Sequence, residues 1–133
     1  MYYFAYGSNL NKRQMRERCP DNKPEVVATL PNYELVFVGW SRKWRGGVAT
    51  IKRFTGGKVP GALYEISEAC LRRLDKFEGY PDSYNRLNII VFNEDNESVE
   101  AFTYIKSGQL EKTSPSQEYV SIIQQGYRDW GIV

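Results

Sequence analysis

Five runs of β-branched and aromatic residues follow one another between Tyr33 and Ile105, and they restrict the possible folds more than any other feature of the chain. They are Tyr33–Val38 (YELVFV), Gly47–Lys52 (GVATIK), Val59–Ile66 (VPGALYEI), Leu87–Phe92 (LNIIVF) and Val99–Ile105 (VEAFTYI). Side chains of this kind pack well on a pleated surface, and Gly, Pro, Asn or Asp bounds each run as a turn requires. The aromatic run Tyr2–Tyr6 makes about six strands. Asn93-Glu94-Asp95-Asn96 has the length and composition of a hairpin loop, and Gly56-Gly57 marks a second hairpin turn between Gly47–Lys52 and Val59–Ile66. Strands that mostly follow one another, with helices inserted at intervals, indicate an α+β fold rather than a doubly wound parallel sheet. Curling about six strands into a barrel removes their exposed edges.

Three helices are expected. Asn11 with Gln14 three residues on forms a capping box for the first, which stops near Cys19-Pro20; Leu10 and Met15 are its core candidates. Ser67 caps the second, where Leu71, Leu74 and Phe77 share one side before Gly79-Tyr80-Pro81 ends it. Ser114-Pro115-Ser116-Gln117 opens the third, whose stripe of Tyr119, Ile122, Ile123, Gly126, Tyr127 and Trp130 reads as core packing.

At 133 residues, with 41% apolar and 26% charged, the chain is expected to form one domain, residues 1–133, without disulfide staples. No apolar run approaches the roughly 20 residues of a membrane span, and the start Met1-Tyr2-Tyr3-Phe4 lacks signal-peptide character, so a cytoplasmic protein without membrane association is expected. Cys19 and Cys70 show no metal-ligand spacing and read as small, buried free thiols. The absence of histidine removes Ser-His-Asp and Cys-His nucleophiles and His-ligated metals, leaving acid–base chemistry to carboxylate, tyrosine, lysine or cysteine. Residues 1–58 hold 11 Lys and Arg against 4 Asp and Glu, whereas residues 59–133 hold 7 against 12. The basic half either attracts an anion or is a solvated face.

Two places carry chemistry. Tyr6-Gly7-Ser8-Asn9-Leu10 lies between a strand and a helix, where glycine lets the backbone approach a ligand closely and free N–H groups suit an anion; an ordinary turn and cap is the alternative. No Gly-Lys-Ser/Thr follows, so it is not a Walker loop. Glu78 closes the second helix, at the end that prefers cations. Pointed into an aromatic cavity it has a raised proton affinity and can take and return a proton; pointed outward it is a solvated glutamate in a frayed turn. Trp40-Ser41-Arg42-Lys43-Trp44-Arg45 reads as a pocket rim or lid, with single-stranded nucleic acid the weakest alternative. Tyr104 and Phe102 alternate onto one side of a strand, and Arg86 is placed to pair with a carboxylate.

Taken together, Tyr6-Gly7-Ser8-Asn9-Leu10 after a short strand, Glu78 before Tyr84-x-Arg86, Tyr104 late in a strand and a final Pro-Ser-x-x-Tyr helix resemble the γ-glutamylcyclotransferase-like (AIG2-like) family. The likeness runs from residue 2 to about 130 and implies a small mixed β-barrel with about three helices. It implies an enzyme that releases 5-oxoproline from a small-molecule γ-glutamyl substrate without metal or organic cofactor. Glu78 would then be the general acid/base, Tyr6, Gly7, Ser8, Asn9 and Leu10 would line the substrate site, and Tyr104 would stand beside the glutamate. The amine part of the substrate stays open between γ-glutamyl amino acids, γ-glutamyl amines and an ε-(γ-glutamyl)lysine fragment. A non-catalytic module that binds a small carboxylate on the same fold is the alternative.

Overall fold

A computed structural model describes residues 1–108 and 110–132. Its elements are β1 (Tyr2–Ala5), a 3-10 turn (Ser8–Leu10), α1 (Lys12–Arg18), β2 (Lys23–Ser41), β3 (Gly46–Glu65), α2 (Glu68–Glu78), β4 (Tyr84–Asn93), β5 (Ser98–Lys106) and α3 (Gln117–Trp130). The strands close into a barrel in the order β1-β3-β2-β4-β5. Neighbours pair antiparallel except β1 and β5, whose parallel contact at Tyr3 and Phe102 closes the ring and makes the barrel mixed.

The count is five strands because β3 is continuous. Residues 46–53 and 58–65 pair with the same partner, β2, and the expected hairpin at Gly56-Gly57 is instead an irregularity where four residues of β3, 54–57, face the single Asn32. Asn32 and Gly56 both have positive φ there, and the Asn32 side chain accepts the Gly56 N–H at 3.1 Å. Glycine supplies a left-handed residue for a hairpin or a bulge alike, so composition does not separate the two. The N-terminal half of β2 escapes the strand reading because Pro24 and Pro31 interrupt it. Both sit beside shifts in pairing, where a strand tolerates a residue with no N–H.

Inside the barrel, Phe4, Leu30, Ile51, Val59, Leu63 and Val91 form a core drawn from strands alone. The opposite face of β1, with Tyr3 and Ala5, packs with Tyr64 and Phe102 beneath Leu10, Met15 and Leu74 from the helical side. Helix ends follow their caps: Asn11 accepts the Gln14 N–H, Ser67 accepts the Cys70 N–H, and Gly79 ends α2 in the left-handed region. The third cap is Ser116, not Ser114, since its hydroxyl accepts the Tyr119 N–H and the helix begins at Gln117. Gly126 lets α3 lie directly on the 3-10 turn, where a Cβ would stand 2.6 Å from both the Leu10 Cβ and the Asn11 nitrogen.

Cys19 and Cys70 are buried, as expected, but they are joined in a disulfide between the end of α1 and the start of α2. Their 51-residue separation hides a contact that only the packing of α1 on α2 creates. Among the described residues no helix is long and apolar enough to cross a membrane.

Candidate active site

The chain leaves β1 through Tyr6-Gly7 and enters the 3-10 turn, whose first N–H groups have no partner within the turn. Gly7 lies close against β3: a Cβ there would stand 3.2 Å from the Ala49 Cβ, a tight contact. Opposite this loop α2 ends at Glu78, and between them opens a cavity of about 420 Å3. Tyr6, Gly7, Ser8 and Asn9 line it with Glu78 and Tyr104, so six of the seven residues singled out from the sequence meet in one place. Leu10 does not. It is fully buried in the core, with its carbonyl accepting the Trp130 indole N–H at 2.9 Å.

Glu78 points inward, its side chain 17% exposed. Burial raises its proton affinity above the ordinary glutamate range, opposed by the charges of Arg18, Lys106 and Lys43. The Asn9 amide nitrogen donates to the Tyr3 hydroxyl at 3.0 Å and lies 3.5 Å from the Glu78 carboxylate. Its carbonyl oxygen accepts from Gln14 at 3.1 Å and from Arg18 at 3.2 Å, so both ends of the side chain are held. Gln14 also donates to the Ser8 hydroxyl at 2.8 Å, tying α1 to the loop.

Phenols form the rest of the wall. Tyr6 donates to the Tyr104 carbonyl at 2.6 Å and Tyr84 to the Ala49 carbonyl at 2.8 Å, while the Tyr119 oxygen accepts the Ala49 N–H at 3.0 Å. Burial raises the proton affinity of Tyr3, Tyr6, Tyr84 and Tyr104, and Tyr119 is pushed up to about 12, so all five stay neutral. Tyr104 lines the cavity, yet its hydroxyl donates at 2.6 Å to Asp75 rather than to Glu78. Asp75 in turn accepts from Arg86 at 2.6 and 3.1 Å, the carboxylate pairing the sequence pointed to for that arginine.

The end of β2 and the turn into β3 line the cavity with Trp40, Ser41, Lys43 and Trp44, four of the six residues read as a rim or lid. Trp44 packs on Tyr119 with ring centres 5.0 Å apart, whereas Trp40 is 67% exposed. Lys43 and Lys106 each hold their ammonium 4.9 Å from a ring of the wall, Trp44 and Tyr84 respectively.

Sequence reasoning missed Arg18, Lys106 and Tyr119 as parts of the site. Arg18 looks like a cation at a helix C-terminus, and Tyr119 belongs to a stripe that is otherwise core. Neither position carries a signal until the chain folds.

The sequence profile described as "Gamma-glutamyl cyclotransferase, AIG2-like" matches residues 3–128. Human γ-glutamylcyclotransferase is 30% identical over 135 aligned residues, covering 98% of this chain and 71% of its own. A solved structure titled "Gamma-glutamyl cyclotransferase" superposes with a TM-score of 0.94 at 29% identity, over 99% of this chain and 80% of that one. YkqA from Bacillus subtilis gives a TM-score of 0.81 at 26% identity, over 98% of this chain and 49% of that one.

Proposed function

Because this chain belongs to the γ-glutamyl cyclotransferase, AIG2-like family and is an enzyme of that kind, we propose that it releases 5-oxoproline and a free amine from a γ-glutamyl compound, with Glu78 as general base and then general acid. The observation that carries this reading is one carboxylate, buried and of raised proton affinity, facing the Tyr6–Asn9 loop across a cavity.

The reaction asks little of the protein. The Glu78 carboxylate takes a proton from the substrate's α-amino group, and the freed nitrogen attacks the γ-carbonyl carbon, forming the ring C–N bond. As the tetrahedral intermediate collapses the amide C–N bond breaks, and the Glu78 carboxyl returns the proton to the departing nitrogen. No proton is gained or lost by the enzyme over the cycle. Most of the acceleration comes from holding the glutamyl chain folded so that nitrogen and carbonyl carbon are about 3–3.5 Å apart, the task assigned here to Gly7, Ser8 and Asn9. In this reading their N–H groups stabilise the oxyanion or hold the α-carboxylate. Arg18, Lys43, Lys76 and Lys106 against the one carboxylate of the cavity lining favour a substrate carrying more than one negative charge, which supports a γ-glutamyl amino acid over a γ-glutamyl amine.

The test is 5-oxoproline release from γ-glutamyl amino acids, γ-glutamyl amines, glutathione and ε-(γ-glutamyl)lysine, comparing wild type with Glu78→Gln. Release by wild type and its loss in a folded Glu78→Gln is the expected result. Turnover by that variant at the wild-type rate overturns the role of Glu78. Ligand binding with no release from any substrate points instead to carboxylate binding.

A further inference from the structure

We infer that Arg18 is a positioning residue that favours the carboxylate form of Glu78 in the cavity, and that the seam between α1 and α2 holds its guanidinium at the distance this requires. The inference rests on the reading of Glu78 as the acid/base.

Two arginines meet carboxylates of α2, in different ways. Arg86 grips Asp75 at 2.6 and 3.1 Å with both carboxylate oxygens engaged, an arrangement that locks the acid. Arg18 stands 4.0 Å from Glu78, its side chain only 10% exposed. The same nitrogen is bonded to the Asn9 oxygen at 3.2 Å, which keeps it from closing on the carboxylate. At that separation the charge still favours the carboxylate form, while the carboxylate, touched otherwise by the long 3.5 Å contact from the Asn9 amide, keeps lone pairs for a substrate proton. Asp75 is thus tied down and Glu78 is left usable.

Arg18 is held from three sides by α2. Its backbone carbonyl accepts from the Arg73 side chain at 2.7 Å, its guanidinium lies 4.9 Å from the centre of the Phe77 ring, and the next residue, Cys19, is bonded to Cys70. This accounts for Phe77, which belongs by spacing to the apolar side of α2 yet is 52% exposed. The ring is a platform for the arginine rather than part of the core.

Two other cations face Glu78: Lys43 from the β2–β3 turn and Lys106 from β5. Both line the cavity on four-carbon stems, each with its ammonium 4.9 Å from one ring centre, and as point charges are suited to following a substrate carboxylate. The phenols of Tyr3 and Tyr6 face it from β1 and the loop, Tyr84 from β4, Tyr104 from β5 and Tyr119 from α3; being neutral, they add no charge. On its own helix the nearby acid Asp75 is paired with Arg86, and Lys76 also lines the cavity. Arg18 is the cation fixed by structure.

The experiment follows the 13C carboxyl resonance of Glu78, assigned by its absence in Glu78→Gln, against pH in wild type, Arg18→Met and Arg18→Lys. The pH profile of kcat/KM is measured on whichever γ-glutamyl compound wild type turns over. In Arg18→Met the Glu78 midpoint rises by about one unit or more, a tenfold gain in proton affinity. If Glu78 is the base, kcat/KM falls in step near neutral pH and recovers as pH rises, and Arg18→Lys lies between the two. A folded Arg18→Met whose Glu78 midpoint stays within about 0.3 unit of wild type overturns the inference. Should that variant not fold, Phe77→Ala carries the test, with a smaller rise expected and no rise overturning it. A midpoint that moves without the activity profile following leaves Arg18 in its role and removes Glu78 from the chemistry, so the two readings fail separately.

Discussion

Glu78 stands under two opposed demands, because a buried carboxylate is useful in catalysis for the reason that it is costly in folding. Its proton affinity is raised in the folded chain by burial, so the charged form is the disfavoured one. Stability from this group is therefore fully present below the unfolded glutamate pKa and is lost as pH rises through the higher, folded value. Glu78→Gln removes that loss. The variant is expected to match wild type in acid and to unfold at a higher temperature than wild type at neutral pH and above, read by thermal melts across pH. Wild-type kcat/KM is expected to have its acid limb above the ordinary glutamate range, where the carboxylate form becomes populated. Tyr119 gives a second test at this scale. Its oxygen accepts the buried Ala49 N–H at 3.0 Å, so Tyr119→Phe leaves that donor without its partner and should cost about 1–3 kcal/mol in urea unfolding.

Among the elements, α2 connects fold to site. Leu74 is fully buried beneath the helix, Asp75 is clamped by Arg86 and by the Tyr104 hydroxyl, and Gly79 turns the chain directly after Glu78. Arg86→Gln removes one side of a partly exposed ion pair, so the cost in stability is small, on the order of 1 kcal/mol or less. The larger expected effect is on kcat, because the end of α2 that carries Glu78 loses its tie to β4; equal kcat in the two proteins would deny Asp75 and Arg86 a positioning role. The Cys19–Cys70 disulfide ties α2 to α1 across 51 residues of sequence, a loop for which cross-linking contributes about 4 kcal/mol through the unfolded state. Unfolding in urea with and without dithiothreitol should show a lower midpoint in the reduced protein. Elements of this kind were legible where the signal is local. Asn11 and Ser67 cap their helices because a short polar side chain before an apolar stripe has little else to do. The disulfide, the platform under Arg18 and the single strand spanning Gly56-Gly57 were not legible, since each depends on which distant segment packs alongside.

The whole molecule brings together two halves of opposite charge. Of the three cations facing Glu78, Arg18 and Lys43 come from the basic half, while Lys106 and Glu78 itself come from the acidic one, so the two halves meet at the cavity. The motif loop and the glutamate were both legible in the sequence, but the excess of cations between them was not, because Lys106 arrives only when β5 closes the barrel against β1. That excess distinguishes substrates by charge. A γ-glutamyl amino acid carries a second carboxylate on the amine side, whereas a γ-glutamyl amine does not, and Lys43 and Lys106 line the cavity that would receive that group. Replacing both lysines with glutamine should raise KM for the amino-acid compound by about five- to tenfold, as expected for roughly 1 kcal/mol of exposed charge attraction; because both charges also hold down the proton affinity of Glu78, kcat stays near wild type only above the acid limb of the profile, which itself moves to higher pH. KM for the amine compound should change far less. Added salt should act on wild type as the double substitution does, since screening weakens attraction between partly exposed charges without touching the buried pair of Arg18 and Glu78. Equal sensitivity of both compounds to salt and to substitution would mean that the lysines bind the glutamyl end, and the amine side would then be read by Trp40 and Trp44 instead.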